Sequence, residues 1–153
     1  MDPRYESLAD NLVAHSTKLK EGEKALIHAF DVPEDITLAL IRAVRSRGAI
    51  PFVQLESSRI GRECVLGGKE VQFESSLSWE MERMKAMDAY LALRGSANVF
   101  ENSDLPQGDM KKAMKILKPV LDWRVKKTKW CVLRWPTPSM AQQAKMSTEA
   151  FEN

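Results

Sequence analysis

Four compact apolar runs, at 24–30, 51–55, 89–93 and 129–134, are separated by segments whose apolar residues recur at helical spacing. This alternation constrains the fold more than any other feature of the chain. Runs this short and this continuously apolar suit strands buried on both faces of a parallel sheet. Between them, Tyr5, Leu8, Leu12 and Leu19 trace an amphipathic helix expected to end near Gly22. Asp31 and Pro33 open a second helix, in which Ile36, Leu40 and Val44 form one stripe, Arg42, Arg45 and Arg47 lie off it, and Gly48 supplies the stop. Further helices are expected over 57–66 and 69–87, with Gly67-Gly68 as the turn between them. A longer one carries the stripe Met110, Met114, Leu117 and Leu121, and Pro119 should kink or restart it because proline donates no backbone hydrogen bond. Strands alternating with helices require right-handed crossovers. The expected class is therefore α/β, an open, mainly parallel sheet of about four or five strands with helices on both faces.

Length and composition fit that class. The chain has 153 residues, 44% of them hydrophobic and 29% charged, which is enough for one buried core and short for two. The longest uninterrupted apolar stretches, Ala49–Val53 and Ala89–Leu93, fall far below the roughly 20 residues of a membrane-spanning helix. No membrane partner is expected. Charges at Asp2, Arg4 and Glu6 stand where a secretion signal needs apolar residues, so a cytoplasmic location is the expectation. The net charge of +2 singles out no polyanionic partner.

Catalytic motifs are sparse. His15 and His28 are the only histidines, Cys64 and Cys131 the only cysteines, and no HExxH pair occurs, which argues against a self-contained zinc hydrolase. His28 reads as a strand residue with satisfied ring nitrogens, and His15 as a helix residue at the core margin. Gly67-Gly68-Lys69-Glu70 fails as a phosphate loop, because Glu63 stands where glycine is needed and Glu70 where a hydroxyl should meet Mg²⁺. There is no GxSxG elbow, and Cys64 has no evident histidine partner for thiolate catalysis. Met81, Met84 and Met87 read as core filler. Eight basic residues lie between Lys111 and Lys129, opposite the Met114 stripe, so they read as a solvated helix face rather than a nucleic-acid interface. In open α/β sheets, ligands meet the loops at the carboxyl ends of the strands. Those loops carry Glu56, Arg94 and Arg134, which are either ordinary ion pairs or the edge of a ligand pocket.

Several stretches together resemble one family. They are Lys20–Ile27, Arg47–Val53, Asp88–Gly95, and most specifically Lys129-Trp130-Cys131-Val132 followed by Pro136-Thr137-Pro138-Ser139-Met140-Ala141-Gln142 and Met146-Ser147. In order and spacing these are similar to the N-terminal part of the leucyl aminopeptidase T family, the thermophilic-type metallo-aminopeptidases. The sequence departs from it in having Trp135 for the usual tyrosine and Ala150 for an expected glutamate. Family members are more than twice as long, and the resemblance places their two divalent metal ions, of zinc or cobalt type, in a C-terminal domain. It implies no cofactor in this chain. Residues 1–145 would be an N-terminal α/β domain, and residues 146–153 the start of a linker or helix leading to a catalytic domain that is not present. That domain is the implied partner, with a homodimer and a peptide substrate for the full enzyme only. Glu56, Arg94, Arg134, Trp135, Pro136, Thr137 and Pro138 would then face the other domain or the cleft. The competing reading is a stand-alone partner- or ligand-binding module without peptidase activity. The fold is also shared with a ring-cleaving dioxygenase group, so the family's fold does not by itself fix its chemistry.

Overall fold

A computed structural model describes residues 2–152. Four parallel strands, β1 (Lys24–Phe30), β2 (Ile50–Glu56), β3 (Ala89–Arg94) and β4 (Lys129–Arg134), form an open sheet in the order β2-β1-β3-β4. The helices are α1 (Pro3–Asn11), α2 (Glu34–Ser46), α3 (Ser58–Val65), α4 (Glu70–Lys85), α5 (Gln107–Lys127), α6 (Pro138–Gln143) and α7 (Thr148–Glu152). The expected α/β class holds, with four strands and every pairing parallel.

Alternate strand residues feed two cores, as the period of two requires. Ala25, Ile27, Leu91 and Leu93 join α1, the turn that follows it and α2 through Ala9, Leu12, Val13, Ile36, Leu40 and Val44. Leu26, Tyr90 and Ala92 face the other way, against Met84 and Val120 from α4 and α5. Leu26, Ile27, Leu91 and Leu93 are fully buried, each contributing roughly 2 kcal/mol by removal from water. Met84 lies in the second core, and Met81 and Met87 pack against it as expected of filler. At the opposite ends of the strands, Gly22 and Gly48 both take left-handed backbone, and Gly22 N–H donates to the Gly48 carbonyl at 2.9 Å. This stitch aligns the entries to β1 and β2.

Three helical expectations are corrected. The first helix stops well before Gly22: α1 passes into a π-helical turn, Leu12–Ser16, and the Thr17 hydroxyl donates to the Leu12 carbonyl at 2.9 Å, closing the turn. Leu19 keeps the helical spacing but is buried from the irregular segment beyond the turn, and His15 is exposed rather than at the core margin. Helix α5 runs unbroken through Pro119, which sits on the exposed side of the helix. The buried stripe of α5 is also rotated from the expected one. Ala113 and Val120 are buried, while Met114 and Leu121 are 67% and 53% exposed and form a cavity wall.

Ser57 caps α3 and Thr137 caps α6, each accepting a backbone N–H from three residues on, with Pro138 preset for the first turn of α6. Ser147 likewise accepts from the Ala150 N–H at 3.2 Å, which starts α7 at the position the sequence indicates.

Candidate functional site

The strand order places β1 between β2 and β3, so His28 sits level with Gln54 on one side and Ala92 on the other. Its ring points to the α4–α5 face, where Tyr90 and Glu56 reach it from neighbouring strands. His28 Nε2 lies 2.8 Å from Glu56 Oε1, and His28 Nδ1 lies 2.8 Å from the Tyr90 hydroxyl. A carboxylate only accepts, so Nε2–H donates to Glu56, and the Tyr90 O–H completes the chain by donating to Nδ1. The expectation of a histidine with both nitrogens satisfied is met.

The network extends outward. Gln54 Nε2 donates to Glu56 Oε1 at 2.6 Å, and Arg83 Nη1 donates to Gln54 Oε1 at 3.0 Å. Arg124 Nη2 donates to Glu80 Oε2 at 3.3 Å, and its guanidinium lies 4.4 Å from the centre of the Tyr90 ring, a cation–π contact. Arg94 stands 5.2 Å from the Phe30 ring. Burial pushes the Tyr90 hydroxyl up in pKa, against the opposing pull of Arg124 and Arg94. The hydrogen bond from His28 holds the Glu56 carboxyl below its usual range, with burial opposing it.

The depressed Glu56 value has a defined sign. A carboxyl lowered in the folded state contributes stability above its unfolded pKa, and that contribution is lost as pH falls through the folded value. Glu56 is 38% exposed, so solvent screening limits the effect to less than about 1 kcal/mol. Glu56→Gln should be less stable than wild type at about pH 7 by urea unfolding, with the gap closing as pH falls through the lowered folded-state value of Glu56. A gap that persists at the acid end would assign the loss to packing instead.

Two open cavities flank the carboxyl ends of the strands. The larger, about 1060 Å³, lies between the sheet and α3, α4 and α5, and carries His28, Glu56, Glu80, Arg94 and Arg124. The smaller, about 570 Å³, lies on the other side and is lined by Asp31, Arg134, Trp135, Pro136, Thr137 and Pro138. The sequence-derived cluster is therefore divided. Glu56 and Arg94 share the larger cavity, whereas Arg134 and the Trp135–Pro138 turn belong to the smaller one. Tyr90, Glu80 and Arg124 were not among the expected site residues. The one available signal for Tyr90 was its alternation onto the His28 face, which becomes readable only once β1 and β3 are known to be neighbours.

The donor set also tests whether this chain can hold a two-metal centre. Among the described residues, no three His, Cys, Asp or Glu side chains come together, and both nitrogens of His28 are already engaged. The described residues do not fit such a centre.

The family model described as thermophilic metalloprotease matches residues 1–153. The chain belongs to the thermophilic metalloprotease family. Among solved structures, wild-type AmpT from Thermus thermophilus is similar, with a TM-score of 0.70 at 18% identity. The match covers 90% of this chain and 37% of AmpT, so this metalloprotease-family chain spans little over a third of that protein's length. At that identity the likeness shows a shared fold alone. No curated protein matches by sequence. Among the described residues, no helix is long and apolar enough to cross a membrane.

Proposed function

We propose that this chain acts as the N-terminal, non-catalytic domain of a metal-dependent aminopeptidase, which as a whole would release N-terminal amino acids from peptides. The observation that carries the reading is a whole-chain match to the metalloprotease family in a chain that aligns with only 37% of AmpT. In this reading residues 1–145 form the scaffold, and residues 146–153 lead towards a catalytic domain that holds the metal ions. The scaffold also supplies contacts for a homodimer, and the strand-end residues Glu56, Arg94, Arg134, Pro136 and Pro138 face the partner domain or the substrate cleft, with Trp135 and Thr137 buried behind them. The setting is cytoplasmic, and peptide binds productively only to the full enzyme.

Titrating Zn²⁺ or Co²⁺ into the protein by calorimetry tests the assignment. Weak, non-stoichiometric heats are expected. Two equivalents bound tightly would place the metal centre in this chain and overturn the non-catalytic reading.

The second reading, a ligand-binding module without peptidase activity, is favoured by the larger cavity, whose apolar walls and cations suit a ligand of their own.

A further inference from the structure

We propose that the larger cavity is a binding site for an organic monoanion with an apolar body, a carboxylate carried on an acyl or apolar peptide chain. Its volume of about 1060 Å³ is at the upper end of the roughly 300–1,000 Å³ typical of small-molecule sites. Several of its apolar wall side chains are covered by nothing else among the described residues. Leu55, Ile60, Met114 and Leu121 are all more than half exposed while lining this one space. A contiguous apolar surface of this kind marks a binding region rather than ordinary scatter.

The charges at the cavity choose the sign of the ligand. Six ionisable side chains besides His28 and Cys64 line it: Glu56, Glu80, Arg94, Lys115, Lys118 and Arg124. Lys118 is paired with Asp122 at 2.6 Å, Arg124 with Glu80 at 3.3 Å, and Glu56 is held by His28 and Gln54. Arg94 and Lys115 are left, each with no carboxylate within 4 Å among the described residues. Arg94 is exposed at the end of β3, where its planar guanidinium can take a carboxylate in bidentate fashion. Arg124 adds a second, partly buried cation across Tyr90, and its Nε is buried without an acceptor. A guanidinium on the sheet that meets Phe30 and the Tyr90 hydroxyl but no carboxylate, and an ammonium on α5 that also lacks one, are set in apolar walls and match a single carboxylate with a hydrocarbon tail. A phosphate dianion would leave those walls uncovered.

The site carries its own reporter. Cys64 is exposed and lines the cavity, whereas Cys131 packs against the core on the opposite face of the sheet. The test measures decanoate and decanol binding by calorimetry, together with alkylation rates of the two thiols, on wild type, Arg94→Gln, Arg94→Lys and Leu121→Glu. N-acetyl-leucyl-phenylalanine and its C-terminal amide form the peptide arm. Decanoate should bind at least about tenfold more tightly than decanol and slow alkylation of Cys64 severalfold while leaving Cys131 unchanged. Arg94→Gln and Leu121→Glu, both at exposed positions, should each weaken decanoate about tenfold or more, and Arg94→Lys, which keeps the charge but loses the bidentate geometry, should weaken it less than Arg94→Gln. Tighter binding of the free peptide acid than of decanoate would support a peptide carboxylate as the source, and the reverse a free acyl chain. Equal binding of decanoate and decanol, binding that leaves Cys64 unprotected, or no binding of either carboxylate overturns the proposal. None of these readouts requires peptidase activity, so the site stands or falls separately from the aminopeptidase reading.

Discussion

Replacing Trp135 by alanine is expected to destabilise the protein by about 4 kcal/mol, as large-to-small changes at buried aromatics do. The ring is 8% exposed and meets Tyr5 edge to face, with centroids 5.2 Å apart and planes at 70°. It belongs to the core that holds α1 and α2 against the sheet. Its backbone N–H also donates to the Arg94 carbonyl at 2.9 Å, extending the β3–β4 ladder by one rung past β4. Alanine keeps that rung but opens a void that the rigid strand end cannot close, and it frees Tyr5 and hence α1. Trp135→Phe retains an aromatic contact and should cost about half as much. Urea unfolding with an unchanged m-value measures both. A loss below about 1 kcal/mol for alanine would mean that Trp135 is not packed as described, and that its role lies wholly in facing the smaller cavity.

Gly95→Ala is expected to cost about 3 kcal/mol, through a clash rather than a void. A Cβ at this position would stand 2.3 Å from the Asp31 carbonyl oxygen and 3.1 Å from that of Phe30. Backbone cannot rotate away as a side-chain tip can, and Asp31 is pinned three times over. It already takes left-handed backbone, its N–H donates to the Glu56 carbonyl, and its carboxylate accepts the Ser58 N–H at 2.9 Å. Gly95 thus lets β1 and β3 close onto the same loop, between the two cavities. Gly61 supplies the contrast, being inside α3 with nothing within 4 Å of an added Cβ. Gly61→Ala should stabilise by roughly 0.5–1 kcal/mol, because alanine loses less backbone freedom on folding. Equal tolerance at both sites by thermal unfolding would remove the steric account of Gly95.

The strands were legible because each is a compact apolar run: β1 and β4 fall at the expected bounds, and β2 and β3 differ only at their ends. Helix ends were less so. Leu19 continues the apolar spacing of α1, and the sequence offers no period break to reveal that the Thr17 hydroxyl ends the helix sooner. On α5, Met114 and Leu121 read as a core stripe because hydrophobicity alone does not say which apolar flank meets the sheet and which lines a cavity. The site was legible only in outline. Glu56 and Arg94 follow from the rule that strand carboxyl ends carry function, but their separation from Arg134 depends on which side of the sheet each side chain takes. The Tyr90–His28–Glu56 chain joins residues 62 and 28 positions apart, so it exists only through the strand order β2-β1-β3.

In the proposed function this metalloprotease-family chain supplies structure and binding surface, and catalysis lies elsewhere in the enzyme. The most direct test of that division is release of leucine from a leucyl peptide by the homogeneous 153-residue protein, with Zn²⁺ or Co²⁺ added and then removed by chelator. No release above the buffer rate is expected with either metal. Metal-dependent release that disappears on substituting a residue of this chain, such as Glu56→Gln, would contradict it.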